Sequence, residues 1–184
     1  MKKALIVIDY TNDFVATDGA LTCGAPAQDI EAALVKLTDQ FIQQGDQVIF
    51  AVDLHEEGDT THPETKLFPP HNIEGTDGRK CYGALGALYE QYKHLGHVHW
   101  MDKTRYSAFA GTNLDSRLRT RDVKEVHLVG VCTSICVLHT AVEAYNKDYS
   151  IVVHRQAVAD FNPEAEKWAL HHMKNTLGAH IEEQ

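Results

Sequence analysis

Positive charge is scarce in this chain. Across 184 residues, 17 lysines and arginines face 26 aspartates and glutamates, a net charge of −9 at pH 7. Nucleic-acid binders need a basic face for phosphates, so the balance argues against that class. It argues equally against an anionic membrane surface as partner. Long apolar runs are missing too, and none approaches the roughly 20 residues of a membrane helix. The run 4–8 behind Met1-Lys2-Lys3 stops at Asp9, too short for a signal-peptide core, so no targeting segment is expected. Cysteine is sparse: Cys23, Cys81, Cys132 and Cys136 are the four. That is no disulfide-dense pattern, in a chain long enough not to need one. A cytoplasmic protein with reduced thiols is expected. The sequence has no internal repeat, low-complexity tract or linker, and Gly75, Gly78 and Gly83 lack phosphate-loop spacing.

What remains is ordinary for a globular protein, with 43% hydrophobic and 23% charged residues. The apolar content suffices to offset the entropy of ordering, and the length suggests one domain over 1–184. Histidine is the excess, with 12 residues. It is the side chain most used for metals and proton transfer.

Short β-branched runs at 4–8, 48–52, 98–101, 126–131 and 151–153 read as strands. Helical spacing lies between them. Ile30, Ala33, Leu34, Leu37 and Phe41 form one face, with Gly45 as terminator. Leu114 with Leu118, then Ile135, Leu138, Val142 and Tyr145, seed two more. A fourth helix begins at Asn162-Pro163, carries Ala165, Trp168, Ala169 and Met173, and ends at Gly178. Alternating strands and helices predict an α/β fold: a three-layer α/β/α sandwich around a doubly wound, mostly parallel sheet. The segment 56–80 breaks this rhythm, with little periodicity and Pro63, Pro69 and Pro70. A loop that long in a compact domain is usually functional or disordered, and its polar residues favour function.

Ligands of an open parallel sheet bind at the carboxyl ends of its strands. Those ends carry Asp9, Asp53 with His55, Asp102-Lys103, and the segment 130–136. Cys136 follows a strand and opens a helix, where the dipole and Lys103 would favour thiolate. Asp9 could take its proton and return it to a leaving group. The competing reading is a small buried thiol, a capping aspartate and a surface lysine. Asp53 and His55 project to one side if the strand continues that far, and Glu64 and His71 follow in the long loop. Two histidines and two carboxylates suit a first-row divalent metal, with His62 as a competing ligand. The alternative is a solvated loop with incidental histidines. Cys132 and Cys136 lack the usual dithiol spacing. Cys23 and Cys81 read as incidental.

These residues fall into blocks. They are Ala4-Leu5-Ile6-Val7-Ile8-Asp9-Tyr10-Thr11-Asn12-Asp13-Phe14; Asp53-x-His55 with Glu64 and Lys66-Leu67-Phe68-Pro69-Pro70-His71; Met101-Asp102-Lys103 through Tyr106-Ser107-Ala108-Phe109; and Gly130-Val131-Cys132-Thr133-Ser134-Ile135-Cys136-Val137 with Thr140-Ala141. The sequence thereby resembles the isochorismatase-like cysteine hydrolases over essentially its whole length. Its metal block is similar to that of the nicotinamidase branch.

The resemblance implies a triad of Asp9, Lys103 and Cys136. It implies a metal, zinc first with manganese or iron possible, held by Asp53, His55 and His71, with Glu64 direct or through water. It implies a cis Val131–Cys132 bond, the backbone N–H groups of Cys132 and Cys136 as oxyanion donors, and a ring pocket walled by Phe14, Leu21, Phe68 and Tyr106. The implied activity is hydrolysis of nicotinamide, in NAD salvage, by a homo-oligomer with no nucleic-acid or membrane partner. Ser134 stands where the family pattern often has aspartate. Thr11 replaces a common glutamine, with a local packing effect expected. The alternatives are a relative acting on an N-carbamoyl or ureido compound, or a non-catalytic metal or thiol protein.

Overall fold

The computed structural model describes residues 2–183; Met1 and Gln184, the two ends of the expected domain, lie outside the described residues. Six strands form one sheet: β1 (Lys2–Ile8), β2 (Gln47–Asp53), β3 (Val98–Lys103), β4 (Val123–Val131), β5 (Ser150–Ala159) and β6 (His180–Glu182). Their order is β3-β2-β1-β4-β5-β6, and every neighbouring pair is parallel. The helices are α1 (Asn12–Val15), α2 (Ala25–Asp29), α3 (Glu31–Gln43), α4 (Gly83–Tyr92), α5 (Leu114–Thr120), α6 (Leu138–Asn146) and α7 (Pro163–Thr176).

Strand alternation sorts them into layers. Ala4, Ile6 and Ile8 of β1 pack with Leu118 of α5, Ala141 of α6 and Met173 of α7. Leu5 and Val7, pointing the other way, pack with Leu34 and Phe41 of α3 and Leu85 of α4. Both sheet faces are covered, which is why the strands read as continuous apolar runs.

Sequence order reverses between β1 and β4, so the carboxyl ends of these strands open a crevice. The strands meet closely there. Gly130 pairs with Ile8 and has φ of 107°; a Cβ on it would lie 2.0 Å from the Ile8 carbonyl oxygen. No residue with a side chain fits.

Some boundaries differ from the expected ones. β3 runs on to Lys103, placing Asp102 and Lys103 inside the strand. β5 does not stop at Val153 but continues to Ala159. Val153 pairs with Leu128, yet Val158 pairs with Gly130, so β5 bulges through His154-Arg155-Gln156, and that polar stretch resembles a strand end. α4 and β6 have no counterpart in the expected elements. Gly83 and Gly86 dilute the helical pattern of α4, and β6 has three residues.

The segment 56–80 is ordered by hydrogen bonds to the residues after β1. Thr11 Oγ1 donates to Asn72 Oδ1 (2.9 Å), and the Asn72 N–H donates to Asp13 Oδ2 (2.7 Å). Asn12 Nδ2 donates to the Asp77 carbonyl at 2.8 Å. Thr11 thus fixes the backbone beside His71, beyond the packing role expected of it.

Candidate active site and metal centre

Asp9, Lys103 and Cys136 converge at the crevice. Asp9 follows β1, Lys103 ends β3, and Cys136 lies in the turn after β4, and none of the three is a surface group: Asp9 and Lys103 are 0% exposed and Cys136 is 5% exposed. Lys103 Nζ lies 2.7 Å from Asp9 Oδ2 and 3.7 Å from Cys136 Sγ. It also lies 2.5 Å from Asp53 Oδ1, a contact absent from the expected triad. Asp9 Oδ1 accepts the Asp53 N–H at 2.8 Å.

The electrostatics follow from burial. Desolvation, then the neighbouring Asp53 charge, raises Asp9 from 3.8 to about 7, against the pull of Lys103. Desolvation opposes the Lys103 charge, but Asp53 and Asp9 overcome it and hold the ammonium well above its ordinary range. The Cys136 thiol departs from expectation. Its burial outweighs the nearby ammonium and pushes its pKa well up, against the lowering that dipole and lysine alone would give.

The four expected metal ligands are brought together. One atom each from Asp53, His55, Glu64 and His71 falls within 4.8 Å of the others. Asp53 Oδ2, His55 Nε2 and His71 Nε2 are buried without a hydrogen-bond partner among the described residues. A buried polar atom with no partner is costly, and three converging on one point fit a divalent cation. The His71 Nδ1 contact with the Pro69 carbonyl (2.8 Å) leaves Nε2 as the lone-pair nitrogen facing the cluster. His62 is not a ligand in this arrangement. Its ring abuts that of His55 at 4.6 Å, but Nε2 meets the Thr104 carbonyl and Nδ1 accepts the Glu64 N–H.

A cavity of about 240 Å³ is lined by the thiol and by two carboxylates of the cluster, Asp53 and Glu64. Phe14, Leu21, Phe68 and Tyr106, the expected ring-binding residues, all line it, together with Cys132 and Cys136. Phe14 packs edge-on against His71 at 5.2 Å. The Val131–Cys132 peptide is cis, as the resemblance implies. The turn after it, Thr133–Val137, is π-helical, with the Val137 N–H reaching back to the Cys132 carbonyl at 3.2 Å. π-turns recur at functional sites.

An isochorismatase domain model matches residues 3–183. The chain belongs to the isochorismatase family. An isochorismatase family protein of Bacillus subtilis, PncA, is 62% identical over all of both chains. A crystal structure described as nicotinamidase/pyrazinamidase PncA from that organism superimposes with a TM-score of 0.98, at 62% identity and full coverage of both chains. A pyrazinamidase of Pyrococcus horikoshii in complex with zinc is 28% identical with a TM-score of 0.87, again over both whole chains. An N-carbamoylsarcosine amidase from Thermoplasma acidophilum is 28% identical with a TM-score of 0.81, covering 99% of this chain and 96% of that one.

Several site residues of this family member escape sequence reasoning. Ile135 and Phe161 line the cavity. Phe161 follows β5, whose extension past Val153 the sequence pattern does not show; with the true strand end, the rule that ligands sit at strand ends points to it. Cys23, which looks incidental in sequence, lies with its Sγ 3.0 Å from Cys132 Sγ. The hydrogen-bond partner of the Cys132 thiol is therefore Cys23, not Cys136 as a redox pairing would require. Asp53 belongs to both groupings, which only a distance reveals.

Proposed function

We propose that this chain hydrolyses nicotinamide to nicotinate and ammonia through a thioester on Cys136. The observation that carries this reading is the cavity itself. An apolar, aromatic-walled space is lined both by a buried thiol and by Asp53 and Glu64, two carboxylates of the cluster whose histidines carry unpartnered ring nitrogens. A flat ring bearing both an amide and a ring nitrogen fits that polarity.

In this reading Asp9 and Cys136 share the proton work. The Cys136 thiol gives its proton to Asp9, whose raised pKa suits a base near neutral pH. The sulfur attacks the amide carbonyl, and the N–H groups of Cys132 and Cys136 receive the oxyanion. One such donor is worth about 3–4 kcal/mol in other enzymes. Asp9 returns the proton to the nitrogen, and the C–N bond breaks as ammonia leaves. Water then enters, gives a proton to Asp9 and adds to the thioester carbonyl. The C–S bond breaks, Asp9 gives its proton back to the Cys136 sulfur, and the pyridine acid leaves, losing its own proton to water as nicotinate. Lys103 holds the charges of Asp9 and Asp53 in place through the cycle. A divalent ion, zinc first with manganese or iron as the other ions these donors suit, would supply an anchor for the pyridine nitrogen. Phe14, Leu21, Phe68 and Tyr106 clasp the ring and exclude water. The product is a pyridine carboxylate of the kind NAD salvage consumes.

The same thiol and base would serve another small amide, as the name of the Thermoplasma relative illustrates. The free nitrogens of His55 and His71 favour a ring bearing a nitrogen, since a divalent ion held by them would anchor it. The test is ammonia release from nicotinamide by purified protein, before and after chelation. Release lost on chelation and restored by zinc is expected. No release with zinc present overturns the nicotinamide reading.

A further inference from the structure

Cys136 sits two residues beyond Ser134, at the start of the helical stretch that becomes α6. The first turn of any helix leaves backbone N–H groups without intrahelical partners. A side chain of the capping residue usually accepts one. Here the cap position is Cys132, whose side chain makes no such bond. The acceptor comes from another strand. Asp160, just beyond β5 and 1% exposed, accepts the Ser134 N–H at 2.8 Å and the Ser134 hydroxyl at 2.7 Å, both on Oδ2. Its other oxygen accepts the Asn162 N–H at 2.9 Å. Asn162 in turn caps α7, accepting the N–H groups of Glu164 and Ala165.

We propose that Asp160 is a positioning residue for the hydrolysis, clamping the 132–136 turn to the head of α7 so that Cys136 and the oxyanion donors keep their aim. The inference rests on the functional reading above and adds a residue to it. A capping aspartate serving only α7 would need Asn162 alone, but Asp160 spends one oxygen on two donors of a single residue in the nucleophile turn. The neighbour of Asp160 in the chain, Phe161, lines the cavity that Cys132 and Cys136 also line. One buried carboxylate thus sets the distance between the cavity wall contributed by β5 and the turn contributed by β4. It also accounts for Ser134. A hydroxyl there donates to the shared oxygen, whereas a carboxylate would place like charges in contact.

Attack geometry is sensitive: a displacement of about 1 Å can cost 100-fold in rate. Asp160→Ala is therefore expected to lower kcat for nicotinamide by about 10–100-fold, with KM moving by less than about threefold. The exchange variant Ser134→Asp/Asp160→Ser puts the carboxylate on the turn and the hydroxyl on β5. It recreates the pair in reverse and should recover most of the lost kcat. The second readout needs no substrate. Amide hydrogen exchange of the peptide 132–137 should quicken in Asp160→Ala while that of β1 stays slow. An unchanged kcat in Asp160→Ala overturns the proposal. So does exchange that quickens equally in both peptides, which would mark a general folding role. If the unaltered protein releases no ammonia, the nicotinamide reading fails, while the exchange comparison still decides whether Asp160 holds the turn.

Discussion

A fully buried lysine is the unusual residue of this molecule. Lys103 sits 2.7 Å from Asp9 and 2.5 Å from Asp53 with no exposed surface, so its charge is matched by two carboxylates rather than by water. Removing one partner of a buried ion pair leaves the other charges uncompensated and costs roughly 3–5 kcal/mol. Lys103→Met keeps the volume and loses the charge. It is expected to lower Tm by about 10 °C in thermal unfolding and to abolish amide hydrolysis. A variant that unfolds with the parent would show that the pairs contribute nothing. The residue types of the site were legible in sequence because chemistry restricts them to few choices at strand ends. The double attachment of Asp53 was not. Its carboxylate reaches Lys103 on β3 and its side chain also joins His55, Glu64 and His71, relations set by distances between strands. For Cys136, the sequence shows the lysine that favours thiolate but not the burial that opposes it.

At the scale of elements, β1 and β4 form the hinge of the arrangement, since the crevice exists only where they adjoin and then part. Their approach depends on Gly130, whose φ of 107° and contact with the Ile8 carbonyl exclude any side chain. Gly130→Ala is expected to cost at least ~1–3 kcal/mol from backbone strain alone, with more from the clash, and to reduce activity by shifting the turn that follows β4. Urea unfolding of the variant measures the first, and an unchanged midpoint would contradict it. Strands that are apolar from end to end were legible, because burial on both faces leaves no alternation to disguise them. β5 was legible only as far as Val153, because a bulge carries His154, Arg155 and Gln156 out of the pattern. The bulge also hides Phe161, which follows β5 and lines the cavity. The helix α7 was readable at both ends, since Asn162 caps it by two hydrogen bonds and Gly178 follows it.

For the molecule as a whole, the strand order β3-β2-β1-β4-β5-β6 brings four distant stretches of chain to one edge. Alternation of strands and helices announced a parallel sheet, but no local pattern states which strands adjoin, so the convergence had to be seen. No helix among the described residues is long and apolar enough to cross a membrane. The histidine excess resolves into separate uses. His55 and His71 face the candidate metal position, His62 props the loop beside them, and His127 and His154 contact each other at 2.8 Å far along the sheet. In the proposed reaction the thiol of Cys136 becomes acylated during amide hydrolysis. Rapid acid quenching during turnover of nicotinamide, followed by peptide mass mapping, tests it most directly. A nicotinoyl group is expected on the peptide containing Cys136, with neither adduct nor turnover in Cys136→Ala. Substantial turnover by Cys136→Ala would contradict it.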